Sequence, residues 1–170
     1  LEGDFGVVNL GTVNELPDLP KVQNQRIAAG TANFCQQAAM SEAQLNSALL
    51  AGQSAVIDAI SQATQLFIGG EMGIGNTTSA AALACAILGQ PESALVGRGT
   101  GVDDEGMFRK EQAVARALSL HGLAENSIEL DVLRCLRCVG GFEIAALVGA
   151  YIGCAQAGIA VLVDGFISSV

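Results

Sequence analysis

The run from Ile144 to Val163 constrains the fold more than any other feature: it is twenty residues whose only strongly polar side chain is Gln156. Such a segment has two homes, the hydrocarbon of a membrane or the inside of a protein. Gly149 and Gly153 stand at the small-xxx-small spacing of helices that pack closely in bilayers, so a membrane reading competes. Gly158 divides the run, however. Ala-rich, helix-like sequence precedes it, and the β-rich burst Ile159-Ala160-Val161-Leu162-Val163 follows, closed by Asp164 and Gly165. A buried helix followed by a buried strand accounts for both halves, and no membrane association is expected.

The rest of the chain repeats this alternation of short apolar bursts with longer helical patterns. Val7-Val8-Asn9-Leu10 reads as a strand, and Gly11 to Met40, interrupted by Pro17, Pro20 and Gly30, reads mainly as an irregular connection. Ser41 and Gln44 form a capping box for a helix whose expected apolar face is Leu45, Leu49, Val56, Ile57 and Ile60. Leu66-Phe67-Ile68 is a buried strand that runs into a glycine turn, and an Ala-rich helix covers Ser79 to Leu88. A second short strand is expected near Leu95-Val96. Helices are expected over Met107–Leu120, Ile128–Cys138 and, after the Gly140-Gly141 break, Phe142–Ala157, with a last strand at Ile159–Val163. The pattern predicts one α/β domain over residues 1–170: a parallel sheet with helices on both faces, Rossmann-like and three-layered. Leu1 stands where a Met would start a gene product, and Val170 falls inside an Asp-Gly-Phe-Ile-Ser-Ser-Val element, so the layer is expected to be incomplete at both ends.

A composition that is 51% hydrophobic suffices for a substantial core in a chain of 170 residues. The formal charge of −9, with eight Lys and Arg spread along the chain, offers no footprint for a nucleic-acid backbone. An anionic ligand must then be held locally, by backbone N–H groups at helix starts. Five cysteines (Cys35, Cys85, Cys135, Cys138, Cys154) in mostly apolar surroundings read as small reduced core residues of a cytoplasmic protein. No basic and apolar export signal opens the chain.

The most informative segment is Glu71 to Thr78, where a strand, a glycine turn and a helix start bring unpaired N–H groups together. No Gly-Lys-Ser/Thr follows, and the glycine spacing is not that of a dinucleotide fingerprint. Gly73 and Gly75 permit close backbone approach, while Asn76, Thr77 and Thr78 suit either a helix cap or an oxyanion. A tight turn with a satisfied cap explains the same residues equally well. Glu71 would be repelled by a bound phosphate unless it faces a sugar hydroxyl or an N–H group; as a candidate secondary acid/base it belongs beside the uncharged part of a ligand. Gly97 to Gly101 supplies a second glycine-rich segment with Arg98, and Lys110 follows in the next helix. Two strand ends sharing one ligand is the arrangement of open α/β sheets. Lys110 would neutralise phosphate, or simply lie on a solvated helix face.

Asp103, Asp104 and Glu105 favour the positive end of a helix more simply than they form a metal site. Cys135-Leu136-Arg137-Cys138 lacks a second Cys pair, and His121 is the only histidine, so zinc lacks ligands and the thiols read as one buried helical face. His121, followed by Gly122, reads as a helix C-terminal residue rather than a general base.

Four segments in content and order carry a resemblance over nearly the whole chain: Gly70-Glu71-Met72-Gly73-Ile74-Gly75-Asn76-Thr77-Thr78; Val96 to Gly101 followed by Asp103-Asp104-Glu105-Gly106; Val139 to Ala146; and Val163-Asp164-Gly165-Phe166. Together they resemble the central part of the nicotinate-nucleotide:dimethylbenzimidazole phosphoribosyltransferase family. The resemblance implies transfer of phosphoribose from nicotinate mononucleotide to 5,6-dimethylbenzimidazole, giving α-ribazole phosphate and nicotinate. It implies a cytoplasmic homodimer and no metal or other cofactor. Carried over position by position, Glu71, Met72, Gly73, Gly75, Asn76, Thr77, Gly97, Arg98, Gly99, Lys110 and Asp164 are expected around the nucleotide, with Glu71 near the ribose and incoming base. The family's base is a glutamate in a glycine-rich segment beyond Asp164, and its glycine-serine-leucine and aspartate-histidine-glycine motifs precede the matched part. Neither is in these residues, so this chain is expected to supply the phosphate and ribose half of a site. A non-catalytic nucleotide-binding module is the competing reading, and turnover separates the two.

Overall fold

The computed structural model describes residues 3–99, 101–124 and 131–170. Its elements, in order, are β1 (Val7–Asn9), β2 (Val22–Asn24), α1 (Glu42–Ser61), β3 (Leu66–Gly69), α2 (Thr77–Leu88), α3 (Glu92–Leu95), α4 (Asp104–Leu120), α5 (Val132–Val139), α6 (Phe142–Ala157) and β4 (Ala160–Val163), followed by a 3₁₀ turn at Ile167–Ser169. The expected parallel α/β arrangement is present, with the strands paired two by two. β1 lies parallel to β2, and β3 parallel to β4, with Gly69 opposite Val163.

The apolar run divides where glycine permits it. Gly158, at φ +70°, adopts the left-handed conformation that ends α6, and β4 begins two residues later. Among the described residues no helix is long and apolar enough to cross a membrane. α6 instead packs along α1 at backbone distance. A Cβ on Gly52 would stand 1.8 Å from the Ala146 carbonyl oxygen, and one on Gly149 would stand 2.0 Å from that of Leu49. The small-residue spacing that suggested a bilayer therefore serves a helix pair inside the protein.

That close approach also corrects the expected face of α1. The capping box is present, with Ser41 Oγ accepting the Gln44 N–H and Gln44 Oε1 accepting the Ser41 N–H at 2.9 Å. The buried stripe, however, is Leu45, Ala48, Ala51, Gly52 and Val56, while Ile57 and Ile60 are 65% and 50% exposed. Small side chains occupy the contact because a larger one would push α6 away.

Three further differences concern short segments. β2 lies inside the stretch read as irregular, held by parallel pairing to β1 and by an Asn9–Asn24 side-chain bond of 2.9 Å. No strand forms at Leu95-Val96: Glu92–Leu95 is a single helical turn, and Val96 is extended and buried without a strand partner among the described residues. The start predicted at Ile128 lies outside the described residues; α5 is seen from Val132, with Asp131 accepting the Arg134 N–H at 2.9 Å.

The main core lies where α2, α4, α5 and the start of α6 meet, around Leu83, Val114, Val139 and Ile144. Seven consecutive residues of α2, Ala80 to Ala86, are buried, so this helix is surrounded by neighbours and its small side chains let them approach. A smaller cluster joins Val56, Ala150 and Cys154 to Phe67, Ile159 and Val161, which seats one face of the β3–β4 pair on α6. The other face, carrying Leu66, Ile68 and Leu162, is half or more exposed, which corrects the expectation that both strands are buried: among the described residues they are covered on one side only.

Candidate functional site

The carboxyl ends of β3 and β4 lie side by side, and each opens into a turn: Gly70 to Asn76 after β3, Asp164 to Phe166 after β4. In the first turn Gly73 and Gly75 have φ of +70° and +75°, the left-handed region in which a side chain is strained. The turn folds back so that Glu71 Oε2 accepts hydrogen bonds from the Gly73 backbone N–H and from Asn76 Nδ2, the latter at 2.6 Å. The carboxylate thus fills the N–H seat that the sequence offered to a phosphate. Asn76 is the N-cap of α2 by position but makes no capping bond with its side chain; the amide is spent on Glu71. Its Oδ1 is buried without a partner among the described residues.

The second glycine segment is joined to the first by Lys110. Its ammonium, projecting from α4, donates to Thr77 Oγ1 and to the Gly97 carbonyl oxygen, each at 3.0 Å. Gly99, at φ +58°, passes so near that a Cβ there would lie 3.3 Å from Thr77 Oγ1 and 3.5 Å from Lys110 Nζ. A chain of contacts therefore runs from Glu71 through Asn76 and Thr77 to Lys110 and Gly97. The sequence made Lys110 a candidate but carried no sign that it would bridge the loops, because the bridge depends on how α4 lies against α2.

Other expected residues have distinct placements. Arg98 is paired with Asp104, and both side chains are largely exposed. Met72 is 83% exposed at the tip of the first turn. Asp164 is exposed on the same edge, one residue beyond the Gly69–Val163 pairing. Among the three acids at the start of α4, Asp103 caps the helix by accepting the Gly106 N–H at 2.8 Å, Asp104 pairs with Arg98, and Glu105 pairs with Arg109 at 2.7 Å. His121 closes α4, its Nε2 lying 2.8 Å from the Phe34 carbonyl oxygen, away from these turns in sequence and contacts. Cys135 and Cys138 are both buried on α5.

Tyr151 went unnoticed in the sequence. It packs against Gly69, the last residue of β3, where a Cβ would stand 2.9 Å from its hydroxyl oxygen. Burial raises the phenol pKa above its ordinary value, and Asp164 and Cys154 add to the rise, while Ser168 acts the other way. The available signal was the single tyrosine of the chain, standing in the apolar stretch of α6 between Glu143 and Gln156. Two open concavities, of about 440 and 590 Å³, lie elsewhere, one beside Lys21 and Gln62 and the other around Gly30, Ser41 and Arg137. The first is lined by Asp4 and Lys21 and the second by Arg137, and neither includes a residue of the two glycine turns.

Comparison with known proteins matches residues 2–170 to a family model described as phosphoribosyltransferase. A nicotinate-nucleotide–dimethylbenzimidazole phosphoribosyltransferase of Pseudomonas putida is 58% identical over 170 residues, all of this chain and 47% of that protein. One of the same name from Xanthomonas axonopodis is 57% identical over 96% of this chain and 45% of its own length. A crystal structure of CobT from Thermus thermophilus superposes with a TM-score of 0.88 at 44% identity, covering 96% of this chain and 48% of the other. The chain thus spans about half the length of the curated relatives it matches.

Proposed function

The chain belongs to the phosphoribosyltransferase family, and on that premise we propose that it holds the phosphate and ribose of nicotinate mononucleotide for transfer to 5,6-dimethylbenzimidazole. In this reading residues 1–170 are one α/β domain, the central part of a longer transferase that works as a cytoplasmic homodimer. The observation that carries it is the Lys110 bridge, which joins two glycine turns into one seat with a positive charge at one end and the Glu71 carboxylate at the other.

The polarity of the seat orients the ligand. The phosphate lies toward Lys110, Thr77 Oγ1 and the backbone of Gly97 to Gly99, where a cation and approachable main chain meet. The ribose lies toward Glu71, whose carboxylate accepts from sugar hydroxyls and would repel phosphate. Arg98 and Asp164 flank the opening, and Met72 offers an apolar surface to a flat base. In the reaction the bond from the anomeric carbon to the nicotinate nitrogen breaks, its electron pair leaving with nicotinate. The sugar acquires positive character, and an unprotonated nitrogen of dimethylbenzimidazole bonds to the anomeric carbon from the opposite face. The N–H proton on the other benzimidazole nitrogen must then pass to a base. Glu71 is the candidate for a secondary acid/base role at that step, held in place by its hydrogen bonds from the Gly73 N–H and Asn76 Nδ2.

Those same hydrogen bonds favour a second reading, a nucleotide-binding module without turnover, because Glu71 Oε2 is already occupied by two protein donors. Purified chain is mixed with nicotinate mononucleotide and dimethylbenzimidazole, nicotinate release is followed, and nucleotide binding is measured separately by calorimetry. Release that disappears in Glu71→Gln supports the acid/base role, and binding without release supports the module. A folded sample that neither binds nor turns over refutes the proposal.

A further inference from the structure

Tyr151 is the single tyrosine of the chain and lies where its two site-bearing strands end. A Cβ added to Gly69, immediately before the Glu71 turn, would lie 2.9 Å from the Tyr151 hydroxyl oxygen, and Gly69 pairs in register with Val163, immediately before Asp164. α6, which carries the phenol, packs on β3, on β4 and on the 3₁₀ turn that includes Ser168. The Tyr151 hydroxyl is buried with no hydrogen-bond partner among the described residues. Ser168, 6% exposed, stands close enough to ease the phenol's ionisation, but the geometry of the pair falls short of a hydrogen bond. The Ser168 hydroxyl is spent instead on a long 3.3 Å bond to the Gly165 carbonyl oxygen. Two neighbouring buried hydroxyls therefore sit at the edge of the site, one unpaired and one weakly paired.

A buried hydroxyl without a partner destabilises the state in which it stays unpaired. A second state that pairs it gives the group a role. We propose that Tyr151 is a positioning residue of the site: its hydroxyl pairs with Ser168 when nucleotide binds, drawing the Asp164–Ser168 turn toward the Glu71 turn. The proposal rests on the nucleotide-binding reading above. Tyr151 meets no reacting atom and acts through the turn that carries Asp164. Ser168 exchanges its bond to the Gly165 carbonyl oxygen for one to the phenol, and nothing covalent changes.

The test compares the unaltered chain, Tyr151→Phe, Ser168→Ala and the double variant. Each is titrated calorimetrically with nicotinate mononucleotide, and its unfolding midpoint is measured without ligand. Tyr151→Phe is expected to be as stable as the unaltered chain or more so, yet to bind nucleotide about five-fold more weakly, as for one lost hydrogen bond. Ser168→Ala weakens binding by a similar factor, and the double variant loses no more than either single one. A purely structural tyrosine would lower stability and affinity together, so opposite signs separate the roles. Unchanged affinity in Tyr151→Phe, or independent losses that multiply in the double variant, overturns the proposal alone. If the folded, unaltered chain binds no nucleotide, the function reading falls and takes this proposal with it.

Discussion

A lysine ammonium has three N–H donors, and among the described residues Lys110 spends two of them, on Thr77 and Gly97, so that the third is proposed to meet an anion. Lys110→Met keeps most of the stem and removes both the bridge and the charge. It is expected to weaken nucleotide binding by about ten-fold or more, as for a charge-assisted contact. Binding by the variant should also depend less on salt, which calorimetry at two ionic strengths would show. Residue identities in this region were legible in the sequence because glycines at left-handed positions and a carboxylate beside them limit what a turn can do. Their pairings were not. The Asn76 amide turns to Glu71 instead of capping α2, and Arg98 reaches Asp104 instead of standing free. Each choice depends on which acceptor the folded backbone brings within reach.

At the scale of elements, α1 and α6 show what apolar counting misses. Gly52→Ala places a methyl group where the Ala146 carbonyl oxygen stands 1.8 Å away, so the helices must separate. The expected loss is about 3 kcal/mol, at the upper end of overpacking costs. Ile57→Ala, on a side chain 65% exposed, should cost roughly 0.5 kcal/mol or less. Urea unfolding of the two variants checks both, and equal losses would refute the packing argument. α6, the capping box and the strand before the glycine turn were legible because their signals are local and strong. β2 has only three residues and gains its conformation from β1, whereas Leu95-Val96 has strand-like composition but no strand to pair with among the described residues. Short segments are decided by partners.

Across the whole molecule, buried weak acids set the response to high pH. Burial raises the thiols of Cys85, Cys135 and Cys154 above the ordinary thiol value and the Tyr151 phenol above its own. Unfolded chains release these protons at the ordinary values while the folded chain still holds them. The stabilisation is therefore complete below the ordinary thiol range and is lost progressively as pH rises through the folded values. With reductant present, the unfolding midpoint should fall from the ordinary thiol range upward. A midpoint that stays flat there would show that the unfolded state protects the thiols equally. Sequence alone determined the order of the main helices, the break at Gly158 and the two glycine turns, because these follow from local backbone preference and hydrophobic spacing. Tertiary structure alone decided that Lys110 joins the two turns, that small residues rather than the larger apolar ones line the α1–α6 contact, and that Tyr151 lies against the end of β3. Each of these depends on distances between segments far apart in the chain, and hydrophobic periodicity specifies a buried face without specifying what lies across it.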